Sequence, residues 1–205
     1  MQNRVELIDC YGSDERHALS AWTSTSRELT DEKRARIPKL LKMLAENGHH
    51  TPFEKSFIGF LVVADTASHI HLLKHRIGVS VNGESARYKE LKDDKYYIPE
   101  DWPKWLQDEL AERTDKNLET YHETVFELQE EGLDKKRAKE SARFFLPYAN
   151  QTILDVSFNF RSFMHFQKLR NAEDAQEEIQ EIADQMLQLV AAKGNFKYSL
   201  EAFGL

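Results

Sequence analysis

Lys74, His75 and Arg76 form a dense cationic triplet, and the segment after it, which carries Gly78, Asn82 and Gly83, contains Glu84, Ser85 and Arg87. Such a set suits a phosphorylated ligand, because a guanidinium offers planar paired donors and an ammonium a compact charge. The competing reading is a helix whose last turn gathers cations against the negative end of its dipole. Taken alone, the triplet favours that second reading, since basic residues are ordinary at helix ends.

Further along, Arg143, Asn159, Arg161, His165 and Arg170 lie among Phe144, Phe145, Phe158, Phe160, Phe163 and Phe166. Aromatic rings and guanidinium groups together can stack on and pair with a planar anion. Surface arginines flanking core phenylalanines would give the same sequence, and on physical grounds the two readings stand level. Asn159 and Arg161 would share one face of an extended strand while the phenylalanines fill the other.

Other chemistry is weaker. His71 and His75 have the spacing of a helical zinc pair, but no glutamate follows His71 and Lys74 would repel a dication, so no metal is expected. Cys10 is the only cysteine, distant in sequence from His49 and from every basic cluster, and nothing beside it suggests a lowered thiol pKa. Ser85 has no neighbouring base, so a hydrogen-bonding role suits it better than nucleophilic attack. The eight glycines contain no dinucleotide fingerprint, so a bound dinucleotide would be held in another way.

The elements that must position these residues belong to a chain of 205 residues, 40% hydrophobic and 11% aromatic, which is enough apolar material for one core and points to a single domain over 1–205. A formal charge of −7 argues against nucleic-acid binding, so any anionic ligand must be held by a local basic cluster. A single cysteine permits no intrachain disulfide and agrees with the cytoplasm. No apolar run long enough for a bilayer and no signal pattern is expected to direct the chain to a membrane.

Pro38, the apolar set Ile37, Leu40, Leu41 and Leu44, and Gly48 predict a short helix opening at Pro38. The run Phe57 to Ala64 predicts a buried strand, and Asp65 or Thr66 a helix cap. That helix would carry His71, Lys74 and His75 on one face, with Ile70 and Leu73 inward. Ile77 to Tyr88 reads as a loop, and Lys104 to Glu131 as a long helix stopped by Gly132. A shorter helix from about Asp134 ends before Pro147, Thr152 to Phe160 alternates as a strand, and Asp174 to Lys193 is a helix ending at Gly194. The fold class is α+β, helix-rich, with few strands.

At Lys74-His75-Arg76 and Ser85-Ala86-Arg87-Tyr88 the sequence resembles the signature of flavin-dependent thymidylate synthases. His49-His50-Thr51-Pro52-Phe53-Glu54, Tyr97-Ile98-Pro99, Arg143-x-x-Leu146-Pro147, Asn159-x-Arg161, His165-Phe166, Leu169-Arg170 and Ala175-Gln176-x-Glu178-Ile179 follow that family's order across nearly the whole chain. The resemblance implies a central antiparallel sheet and a homotetramer with active sites shared between subunits. It implies FAD as cofactor, with NADPH and 5,10-methylenetetrahydrofolate as co-substrates for converting dUMP to dTMP.

By position, the FAD contacts implied are Ser24, His49, Thr51, Glu54, His75, Arg76, Asn159, Arg161 and His165. The dUMP set implied is His71, Lys74, Glu84, Ser85, Arg87, Arg143 and Arg170, with Arg170 and Ser85 as the catalytic positions. The chain departs from the pattern at Lys74, where the family usually has arginine, at His71 for glutamine and at His165 for asparagine. Eight residues separate Arg76 from Ser85, one more than in the family pattern. A flavin- or nucleotide-binding homologue without turnover and a helical phosphate-binding interaction module are the alternative readings.

Overall fold

The computed structural model describes residues 1–85 and 95–205. In chain order the elements are β1 (Arg4–Tyr11), α1 (Asp14–Ala21), α2 (Asp31–Glu46), β2 (Phe57–Asp65), α3 (Thr66–Leu73), β3 (Val79–Gly83), α4 (Lys104–Glu130), α5 (Lys135–Ala142), β4 (Gln151–Phe158), α6 (Phe160–Arg170), α7 (Glu177–Lys193) and α8 (Lys197–Ala202). Short 3-10 turns cover Trp22–Ser24, Thr51–Glu54 and Arg143–Phe145. The four strands form one antiparallel sheet in the order β1-β2-β4-β3. The β3/β4 register is fixed at both ends: the Glu84 amide donates to the Ile153 carbonyl at 2.8 Å and the Asn159 amide to the Gly78 carbonyl at 3.0 Å.

By packing, the chain divides into two compact units, Met1–Arg4 with Val63–Leu72 and Asn82–Leu154, and Val5–Val62 with Leu73–Val81 and Asp155–Leu205. In the first, α4 buries Leu118, Tyr121 and Val125 on one stripe, and Ala142 and Leu146 pack against Tyr121 and Val125. Asp134 caps α5 by accepting from the Lys136 and Arg137 amides. Asp65 closes the β2-to-α3 turn: its carboxylate accepts from the Ser68 amide at 2.9 Å, the Ser68 hydroxyl at 2.7 Å and the Asn3 amide side chain at 2.7 Å.

The second unit is built on aromatic rings. Phe60, Phe158, Phe163 and Phe166 interlock beneath α6, while Phe53, Phe160 and Phe196 surround the fully buried His17 at centroid distances of 5.2 to 5.3 Å. Helix α7 lays Ile179, Ile182, Met186 and Val190 into the same core, and Gly194 ends it at φ +73, where a side chain would be strained.

Four expectations need correction. Helix α2 opens at Asp31, with Thr30 accepting from the Lys33 amide, so Pro38 sits in its interior. A polar cap with Asp31 and Glu32 in the first turn outweighs the one hydrogen bond proline removes. Helix α3 ends at Leu73, so Lys74 and His75 lie past it, and Ile70 and Leu73 are exposed while Ser68 and Leu72 are buried. The segment read as a loop from Ile77 to Tyr88 contains β3, whose residues 79–83 gain their ladder from β4. Asn159 and Arg161 do not share a strand face: the Asn159 side chain accepts from the Ser162 amide at 2.9 Å and starts α6 there.

Candidate active site

The second unit holds a cleft of about 990 Å³. Its walls come from the end of α2, the turn after it, residues 74–79, one face of α6 and the C-terminal end of α8. Among the described residues, Lys74, Arg76, Arg161, Lys168 and Arg170 line it against Glu46 and Glu54, with His50, His75 and His165 between them. An acidic chain thus concentrates positive charge in one concavity, and the capped N-terminus of α6, entering the cleft at Asn159, adds its dipole in the same sense.

Local folding explains why these side chains meet. Gly78 has φ +66, and a Cβ there would lie 2.3 Å from Asn159 Nδ2 and 2.4 Å from Ser162 Oγ. The absent side chain lets the chain after Arg76 press onto the first turn of α6, where the Ser162 hydroxyl donates to the Ile77 carbonyl at 2.6 Å. Along α6, Arg161, His165 and Lys168 follow at helical spacing on the exposed side, while Phe163, Phe166 and Gln167 are buried. Arg161 is paired with Glu54 at 2.5 Å across the cleft wall. Arg170 donates through Nε to His75 Nε2 at 3.0 Å, and His75 is buried against the Phe166 ring.

Of the residues singled out in the sequence, Glu54, Lys74, His75, Arg76, Asn159, Arg161, His165 and Arg170 line this cleft. Ser24, His49 and Thr51 belong to the same unit but not to the lining; Ser24 donates to the Ala21 carbonyl at 3.2 Å within its own turn. His71, Glu84, Ser85 and Arg143 belong to the first unit. There His71 is half-buried in the last turn of α3, Glu84 and Ser85 are half-buried past β3, and Arg143 is exposed at the start of its 3-10 turn. Arg87 lies outside the described residues.

His50, Lys168 and Phe203 also line the cleft and were not singled out. Lys168 could have been found, since it stands at the helical interval from Arg161 and His165 once α6 is read as a helix. Nothing in the sequence around Phe203 marks it.

A helix-rich α+β chain with a cation-lined cleft of this size beside clustered aromatic rings has the makings of a site for an anionic ligand. The family model described as thymidylate synthase complementing protein matches residues 6–193, and the chain belongs to that family. It is 33% identical over 182 residues to the flavin-dependent thymidylate synthase of Pseudothermotoga lettingae, covering 87% of this chain and 80% of that one. Against the enzyme of the same name from Thermotoga neapolitana the figures are 32% over 203 residues, 97% and 89%. Among solved structures, the UMP/dUMP methylase PolB from Streptomyces cacaoi, bound with 5-Br dUMP, superposes with a TM-score of 0.78 at 28% identity, covering 98% of this chain and 94% of that one. By family the chain is a flavin-dependent thymidylate synthase, with FAD as cofactor and folate and NADPH as co-substrates. Among the described residues, no helix is long and apolar enough to cross a membrane.

Proposed function

We propose that the chain, acting as a single domain assembled into a cytoplasmic homotetramer with shared active sites, converts dUMP to dTMP with FAD held in the cleft of its second unit. The observation that carries this assignment is the convergence of residues 74–76 and 159–170, distant in sequence, on one cleft in a member of this family.

The residues fit such a cofactor. Pyrophosphate needs cations, which Lys74, Arg76 and Arg161 offer at the cleft, and the N-terminus of α6 adds an anion-favouring dipole. The rings need flat, partly apolar walls, which Ile77, Met164, Leu169 and Phe203 can provide. The Glu54 carboxylate holds the Arg161 guanidinium in place instead of leaving it to search solvent. When bound, FAD would supply the redox chemistry of the reaction, with NADPH as the source of reducing equivalents.

We assign FAD contacts to Glu54, His75, Arg76, Asn159, Arg161 and His165, with Ser24, His49 and Thr51 as further contacts in the assembly. The dUMP contacts are assigned to His71, Lys74, Glu84, Ser85, Arg87, Arg143 and Arg170. In this assignment Arg170 is the catalytic cation: a guanidinium beside the uracil ring stabilises negative charge developing there. Ser85 contributes a hydrogen bond to the nucleotide. The test is direct. Purified protein titrated with FAD should gain a bound-flavin absorption band and, with dUMP, methylenetetrahydrofolate and NADPH, form dTMP. Protein that stays colourless at saturating FAD removes the cleft from this role.

A further inference from the structure

Helix α8 lies beyond the stretch 6–193 that the family model covers, yet its C-terminal end supplies Ala202 and Phe203 to the cleft wall. Phe203 is half-buried, and its ring is set by three others: Phe53 edge-on at 4.9 Å, His50 tilted at 5.3 Å and Phe160 at 6.3 Å. His50 lines the cleft as well, from the turn that follows α2. Two aromatic rings, one from the turn after α2 and one from the end of α8, thus stand side by side at one cation-rich cleft.

The helix that brings Phe203 there is firmly anchored. The Asp14 carboxylate accepts from the amides of Tyr198 at 2.9 Å and Ser199 at 2.8 Å and from the Ser199 hydroxyl at 2.6 Å. The Asp14 amide donates to the Asn195 carbonyl at 2.9 Å. Because the Ser199 hydroxyl gives its proton to Asp14, its oxygen is left to accept from His17 Nδ1, 2.9 Å away. These bonds fix the start of α8, the ring contacts fix Phe203 at its end, and a ring ordered in advance adds contact area at little entropic cost.

We propose that Phe203, with His50 beside it, is a stacking wall for a fused heteroaromatic ring of the flavin cofactor, so that the end of α8 contributes a binding determinant to the cleft. The inference rests on the assignment of the cleft to FAD. The shared chemistry is a flat π-system, which the isoalloxazine and the adenine of FAD both offer, and either can stack against a phenyl face.

The experiment titrates FAD, FMN and ADP into the full-length protein and into Phe203→Leu and Phe203→Trp, with a thermal melt of each. Leucine keeps the apolar volume and removes the ring face; tryptophan restores a larger one. Phe203→Leu is expected to melt within a few degrees of wild type and to bind FAD about five- to tenfold more weakly, with Phe203→Trp regaining the affinity. A parallel loss for FMN assigns the isoalloxazine ring to the wall, and a parallel loss for ADP assigns the adenine. A folded Phe203→Leu protein with wild-type FAD affinity overturns the proposal while leaving the cleft as the flavin site; failure of wild type itself to bind FAD sinks the cleft assignment instead.

Discussion

Arg170 Nε donates to His75 Nε2 at 3.0 Å, joining the last turn of α6 to the turn after α3. An accepting Nε2 must carry a lone pair, so in this arrangement His75 is neutral with its proton on Nδ1. The pair fixes the orientation of a guanidinium that lines the cleft. Arg170→Ala should therefore lower kcat for dTMP formation by about 10²- to 10³-fold, the size of losing one positioned electrostatic donor. The melting temperature should stay within a few degrees. Steady-state kinetics beside a thermal melt decide it, and undiminished turnover would remove Arg170 from the chemistry.

Gly78 makes a second, structural prediction. With φ +66 and a Cβ that would meet Asn159 Nδ2 at 2.3 Å, Gly78→Ala combines backbone strain with a clash at the cap of α6. It should cost at least about 1–2 kcal/mol in denaturant unfolding and weaken FAD binding together with it. Asn159→Ala alone should cost about 1 kcal/mol through the lost cap. In the double variant the costs should be less than additive, because the clashing amide is gone; strict additivity would mean the two residues do not press on one another.

These two sites show what was legible in the sequence. Long periodic segments were readable, so α4 and the end of α7, with their glycine stops at Gly132 and Gly194, stand where the spacing put them, as does the apolar run of β2, although α7 opens at Glu177 and not at Asp174. Edge strand β1 was not, because it has no buried position and alternates charged residues with Val5 and Leu7. The change from β4 to α6 hinged on one asparagine whose side chain can cap a helix or point from a strand, and tertiary contact with Ile77 and Gly78 selects the cap. The cations of 74–76 and 159–170 were legible as ligand-holding types. Their convergence needed β3 to pair with β4, which a glycine-rich composition conceals.

His17 carries a pH prediction. Burial, helped by the nearby Arg16 charge, pushes its imidazole down to about 3 from 6.5. The unfolded chain therefore takes up this proton first as pH falls, so the contribution is fully present above about 6.5 and is lost toward 3, at no more than about 1.4 kcal/mol per pH unit. Asp14 works in the opposite sense: burial raises its carboxyl above 3.8, and the folded state holds that proton longer at the acid end. Between pH 7 and 5 the histidine dominates. His17→Phe keeps a ring among Phe53, Phe160 and Phe196 and removes the titration, so the stability gap between wild type and variant should change steadily over that range. Parallel unfolding curves at both pH values would count against it.

Cys10 supplies the last prediction, because a thymidylate-forming enzyme could in principle attack uracil with a thiolate. The structure disfavours that role on two grounds. Cys10 sits in β1 and does not line the cleft, and burial raises its thiol pKa, with Asp9 adding to that effect and Lys193 opposing it. A thiol raised in this way is overwhelmingly protonated near neutral pH and a poor nucleophile. Cys10→Ala should therefore turn over within about twofold of wild type, since a half-buried thiol that behaves as a small apolar group is the only thing lost. Alkylating the wild-type protein should likewise leave dTMP formation intact. If Cys10→Ala folds with normal FAD affinity and yet makes no dTMP, the thiol is part of the chemistry, and Arg170 beside a reduced flavin is not a sufficient account of catalysis.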